Sequence, residues 1–149
     1  MWNEELTGYV PTESKEQETV FAWANIMELI EPRLELLHHV PNGGFRKKGT
    51  AARMKAEGVK AGVPDIFLPV PAKRYHGLYV EMKKRDHSNG LSKIQRQWIG
   101  MLREQGYKAE VAYGCDEAIE MICQYLDIED YRNVDIDDFR MRSNYENDR

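Results

Sequence analysis

The chain has 149 residues, 42% of them hydrophobic, with two cysteines and a formal net charge of −4. That length supports one well-buried core and is too short for two ordinary domains. No run approaches the roughly 18 to 20 consecutive apolar residues of a membrane span, and Met1-Trp2-Asn3-Glu4-Glu5 lacks the basic-then-apolar order of a signal peptide. Cys115 and Cys123 have neither zinc-ligand spacing nor a disulfide framework. The expectation is a soluble cytoplasmic protein with no membrane partner, its cysteines serving as packing residues.

Within residues 13–30, Val20, Phe21, Ala24, Ile26 or Met27, and Ile30 recur at helical spacing, with Thr12 available as a cap and Pro32 just beyond. They predict a first helix. Residues 35–40 read as a strand halted by Pro41-Asn42-Gly43-Gly44, with the adjacent His38 and His39 on opposite sides, one toward the core and one toward the site. A helix from about Thr50 to Glu57 stops at Gly58. Pro64 forces Val63 toward extended geometry, Asp65–Pro69 reads as a strand, and Tyr75–Met82 reads as the next.

Ser92 caps a helix that places Ile94, Trp98, Met101 and Leu102 on one face, and Gly106 sits where a left-handed C-terminal cap is wanted. Tyr107, Ala109, Val111 and Tyr113 alternate as a strand, and Asp116 caps a last helix carrying Ile119, Ile122 and Leu126. Trp98, Tyr107 and Tyr113 are expected in the core and not as base-stacking platforms. The order α-β-α-β-β-α-β-α predicts an α/β fold, a central mixed sheet flanked by helices. Three regions result: an N-terminal extension (1–12), the folded domain (13–126) and an acidic C-terminal tail (127–149), which either adds a short helix around Val134 to Phe139 or stays disordered.

The chemistry concentrates on two predicted strands. Asp65 opens one, and Glu81-Met82-Lys83 follows on the next. Strand alternation sends Glu81 and Lys83 to one face and Met82 to the opposite, apolar one. Carboxylate oxygens suit Mg²⁺ or Mn²⁺, and a lysine beside them can orient or deprotonate a water, a pattern for metal-assisted hydrolysis. Taken singly the same residues are ordinary: Asp65 a strand-start residue, Glu81 and Lys83 an exposed ion pair.

Charge is unevenly spread. Residues 127–149 hold eight acids and four Lys/Arg, so the tail accounts for the whole net charge and residues 1–126 balance at seventeen each. Residues 43–96 carry thirteen Lys/Arg against four acids, two of which are Asp65 and Glu81, so this stretch reads as a phosphate-binding face around the site.

In order and spacing, a set of segments resembles the virus-type replication-repair nuclease (VRR-NUC) domain, a branch of the PD-(D/E)xK superfamily. These are Glu13-x-x-x-Gln17, His39-Val-Pro-Asn-Gly-Gly44 with Arg46, Gly62-Val-Pro-Asp65, Gly77-Leu-Tyr-Val-Glu-Met-Lys83, and Leu91-Ser-x-x-Gln95 before Trp98 and Gly106-Tyr107. The likeness covers roughly residues 13–126 and is to the standalone phage and bacterial type.

It implies a restriction-endonuclease-like core and a metal-dependent DNase. Asp65 and Glu81 would ligate Mg²⁺ or Mn²⁺ with the backbone carbonyl of Met82, Lys83 would position the attacking water, and Gln95 would support the lysine or the scissile phosphate. Glu13 would be the helix-one acid, acting through metal-bound water or a second metal. Glu16 and Glu18 compete for that role, and only the Glu13/Gln17 pair on one helical face selects the first. Asn42, Gly43, Gly44 and Arg46, with Lys47, Lys48, Lys84 and Lys93, would contact DNA phosphates.

The resemblance implies a homodimeric, structure-selective endonuclease for branched DNA such as four-way (Holliday) junctions, in DNA repair. Only about 23 residues follow the last helix, which favours reading DNA shape over base sequence. Trp2, Leu6, Tyr9 and the stretch from Phe67 to Tyr75 are candidates for the dimer surface. The alternatives are a flap-processing or restriction-type nuclease and, in another class, a DNA-binding module that has lost its chemistry. Intact Asp65, Glu81 and Lys83 speak against the last.

Overall fold

The computed structural model describes residues 8–42 and 47–129. Trp2, Leu6, Gly43, Gly44, Arg46 and the tail segment Val134–Phe139 lie outside them. The elements run α1 (Glu13–Met27), a 3₁₀ turn (Pro32–Leu36), β1 (His38–His39), α2 (Lys48–Ala56), β2 (Ile66–Leu68), β3 (Leu78–Lys83), α3 (Lys93–Glu104), β4 (Lys108–Tyr113) and α4 (Cys115–Leu126). They form one four-stranded sheet in the order β1-β2-β3-β4. The first two pairings are antiparallel and β3–β4 is parallel, joined by the α3 crossover, so the sheet is mixed and the fold is α/β as the element order predicts.

The strand period divides β3 cleanly. Leu78, Val80 and Met82 face a main core built with Ile66, Leu68 and Ala112, onto which α1 and α4 pack through Val20, Ala24, Met27, Ile119 and Ile122. The alternate residues Tyr79, Glu81 and Lys83 face the other side, where α3 covers a smaller cluster of Ile99, Leu102 and Ala109. That second side carries the candidate chemistry.

Several details depart from the sequence reading, each for a physical reason. The segment from Pro32 is a 3₁₀ turn and β1 is only two residues long, an edge strand on which both His38 and His39 are exposed, so neither enters the core. Helix α1 ends at Met27, which leaves Ile30 exposed and makes Trp23 a core residue instead. Ile94 and Met101 of α3 are turned outward, and Ile99 and Leu102 are buried. The face that meets the sheet is Gln95-Ile99-Leu102, because the same helix must deliver Gln95 to the strand beneath it.

Helix α4 begins at Cys115 after Gly114 (φ 91°), one residue before the cap expected at Asp116. Its first N–H is capped from a distance by the Glu16 carboxylate of α1, 2.6 Å away. Trp98 and Tyr107 pack against the smaller cluster as half-buried residues, and Tyr113 stacks on His87 with ring centroids 3.8 Å apart. Both cysteines are buried and free.

Candidate active site on the second face of the sheet

Asp65 precedes β2, and its carboxylate is held at both oxygens: Met82 N–H donates to Oδ2 at 2.8 Å and the Asn42 amide donates to Oδ1 at 3.1 Å. Glu81, 2% exposed, accepts from the Gln95 amide at 2.7 Å through Oε1, while its Oε2 is buried with no hydrogen-bond partner. Lys83, 5% exposed, lies 3.8 Å from both Glu81 Oε1 and Glu13 Oε1, an ion-pair distance that leaves its N–H donors room for a water or a phosphate oxygen. Glu13 is fixed from outside by the Asn89 amide at 2.5 Å.

Gln95 owes its aim to local sequence. Ser92 caps α3 by accepting from Gln95 N–H, and Gln95 Oε1 returns the bond to Ser92 N–H, closing a capping box. With its oxygen so engaged, the amide nitrogen points at Glu81.

The electrostatics are those of an anionic pocket. Burial, then the neighbouring Asp65 charge, pushes the Glu81 carboxyl up to about 8 against the opposing pull of Lys83. Burial also raises Asp65, opposed by the Met82 N–H and reinforced by Glu13. Two close, desolvated carboxylates with one unpartnered oxygen fit a hard cation. Among the described residues no group of three or more His, Cys, Asp or Glu side chains could hold a metal ion. Two carboxylates could serve such an ion only with backbone, water or substrate oxygens completing the shell, which is how Mg²⁺ is commonly held.

Asp65, Glu81, Met82, Lys83, Gln95 and Glu13 thus come together, although α1 lies on the other side of the sheet from α3. Asn42 is within the cluster as a partner of Asp65, while Gly43, Gly44 and Arg46 fall outside the described residues. Lys47, Lys48 and Lys93 are exposed and Lys84 is half-buried. Of the proposed dimer residues, Tyr9 and Tyr75 are exposed, and Phe67 stacks on Tyr79 at 4.2 Å.

Sequence reasoning missed one support, Asn89, and the partners of two residues it had singled out, His39 and Glu16. Asn89 sits in a turn whose composition carries no sign of Glu13. His39 Nδ1 lies 2.8 Å from the Asp65 carbonyl oxygen and 2.9 Å from the Gln17 amide nitrogen, so the imidazole bridges α1 to the start of β2. Glu16 is 1% exposed and takes a bidentate grip from Arg85, at 2.6 and 3.0 Å, besides capping Cys115. A Cβ on Gly114 would lie 3.0 Å from Arg85 Cβ and 3.5 Å from Glu16 Oε2, so that junction is crowded enough to favour glycine.

The VRR-NUC domain profile matches residues 12–116, about seven-tenths of the chain and the whole of this cluster. The chain belongs to the VRR-NUC family. A solved structure titled "VRR_NUC domain protein" is similar at 31% sequence identity, with a TM-score of 0.63 over 82% of this chain and 93% of the other. None of the curated proteins compared matches the chain. The family makes this VRR-NUC domain a nuclease of the PD-(D/E)xK type, with DNA as its partner. No helix among its described residues is long and apolar enough to cross a membrane.

Proposed function

We propose that this VRR-NUC protein is a divalent-metal-dependent endodeoxyribonuclease that hydrolyses phosphodiesters at branched DNA. The observation that carries the metal dependence is the buried, partnerless Glu81 Oε2 beside Asp65 and Lys83. An unpaired carboxylate oxygen in that position is costly unless a cation meets it. Asp65, Glu81 and the Met82 carbonyl would hold Mg²⁺ or Mn²⁺, with Glu13 reaching it through water or serving a second ion. The chemistry such a cation supplies is polarisation of the phosphoryl oxygen and a more acidic water.

The chain's own groups do the rest. Lys83 orients the attacking water and offsets charge growing on the phosphate, from a desolvated site where that interaction is strong. Gln95 keeps Glu81 in place through one hydrogen bond, and Asn42 and the Met82 N–H do the same for Asp65. Asn89 and Lys83 hold Glu13 at the rim.

One site per chain cuts one strand per encounter, and resolving a four-way junction needs two opposed nicks, so the working form is a twofold homodimer. The test is cleavage of matched linear, flap and four-way substrates with and without EDTA, alongside light scattering. Metal-dependent junction cleavage by a dimer supports the reading. Full activity in EDTA removes the metal, and a strict monomer that cuts flaps as readily as junctions leaves a flap nuclease in its place.

A further inference from the structure

Helix α2 contributes nothing to either core cluster. None of its nine residues is buried, Lys47 at its N-cap makes no side-chain capping bond, and Gly49 lies in its first turn. A helix this short and unpacked is marginal in water. Its charge is one-sided as well: residues 47–60 hold Lys47, Lys48, Arg53, Lys55 and Lys60 against the single acid Glu57, which pairs with Arg53 at 2.9 Å. Lys48, Lys55 and Lys60 are exposed and make no ion pair among the described residues.

The roots of this excursion lie at the candidate active site. The chain departs at Asn42, bonded to the Asp65 carboxylate, and Val40 N–H donates to the Asp65 carbonyl at 2.8 Å; it returns at Asp65 itself. The returning leg rests on α3, where a Cβ on Gly62 would collide with Trp98 and Ile94 at 2.7 and 2.8 Å. A cationic, unpacked helix therefore stands on an excursion whose last described residue before it, Asn42, and whose return, Asp65, both belong to the candidate site.

We infer that α2 and the residues just after it form a docking arm for the sugar-phosphate backbone of DNA flanking the cut, with Lys48 and Lys55 on the helix and Lys60 beyond its end as phosphate contacts. The inference rests on the nuclease reading and adds the surface that supplies affinity. Lys48 and Lys55 are seven residues apart, about 10 Å along the helix, and duplex DNA presents a negative charge every ~1.7 Å of its axis. The contacts carry no base information, so they strengthen binding alike on every sequence.

The test replaces Lys48, Lys55 and Lys60 together by alanine in the full chain and compares it with Lys73→Ala, whose lysine pairs with Asp127 instead. Binding to a four-way junction and to linear duplex is followed from low to moderate salt with Ca²⁺ in place of Mg²⁺, and cleavage is measured at saturating DNA with Mg²⁺. The expected result is dissociation weakened on the order of tenfold or more near physiological salt, with the slope of log affinity against log salt smaller by about three. Melting temperature should hold, and the loss of cleavage should be greater below saturating DNA than at saturation. Unchanged affinity and slope in the triple variant overturn the docking arm, as does an equal loss in Lys73→Ala. Binding that depends on these lysines in a wild-type protein that cuts no DNA would sink the nuclease reading and leave the arm standing.

Discussion

Glu81→Gln separates the electrostatics of the pocket from its packing. The glutamine keeps the oxygen that accepts from Gln95 and replaces the partnerless Oε2 with an amide group beside Asp65. In the metal-free wild type the carboxyl is raised from its ordinary value near 4.5 to about 8. A raised folded-state value means that this group's contribution is intact below pH ~4.5 and is lost as pH climbs to ~8, because the unfolded chain ionises freely and the folded one does not.

Each unit in that window is worth about 1.4 kcal/mol, so the advantage of Glu81→Gln over wild type should widen at that rate and level off on the order of 5 kcal/mol. For a domain of this size that is a gap of roughly 10 °C in melting temperature at pH 8.5. The assay is thermal or urea unfolding of both proteins in EDTA from pH 5.5 to 9, repeated with millimolar Mg²⁺ or Mn²⁺. The metal should narrow the gap by stabilising wild type alone. A gap that does not change with pH, or equal stabilisation of both proteins by metal, would refute the reasoning.

Lys83→Ala should lower the single-turnover cleavage rate by about 10²–10⁴-fold with little change in DNA affinity; a raised dissociation constant with an unchanged saturated rate would move the lysine from chemistry to binding. Arg85→Ala strands the Glu16 carboxylate in the interior and should destabilise the fold by about 3–5 kcal/mol in urea unfolding, whereas replacing both residues by methionine should recover much of the loss. Because Arg85 and the Cys115 N–H hold Glu16 below its ordinary value despite burial, its share of stability is present at neutral pH and lost as pH falls through the acid range. Ser92→Ala removes the hydroxyl that accepts from Gln95 N–H and should cost about 1 kcal/mol of stability; the N–H of residue 92 that holds Gln95 Oε1 is backbone and survives, so saturated cleavage should change little, and a large loss of rate would show that the hydroxyl itself is needed to aim Gln95 at Glu81.

Much of this protein is written in local pattern. Strand alternation placed Met82 opposite Glu81 and Lys83, Ser92 and Gln95 set their own capping box, Gly106 closed α3, and the order of elements gave the mixed sheet. Each depends on neighbours within a few positions of the chain, where backbone geometry and hydrogen bonding are set by sequence alone. Tertiary packing decided the rest. Glu13 and Glu16 lie three residues apart on α1, only about 60° around the helix. Which of them meets Lys83 and which meets Arg85 depends on how α1 is rolled against the sheet, fixed by Val20, Ala24 and Met27 in the core. The same holds for Cys115, whose cap comes from Glu16 ninety-nine positions away, and for α3, rolled so that Ile99 and not Met101 is buried. A helix's own periodicity states that it has an inner face, and only its partners state which residues at that face's edge are inside.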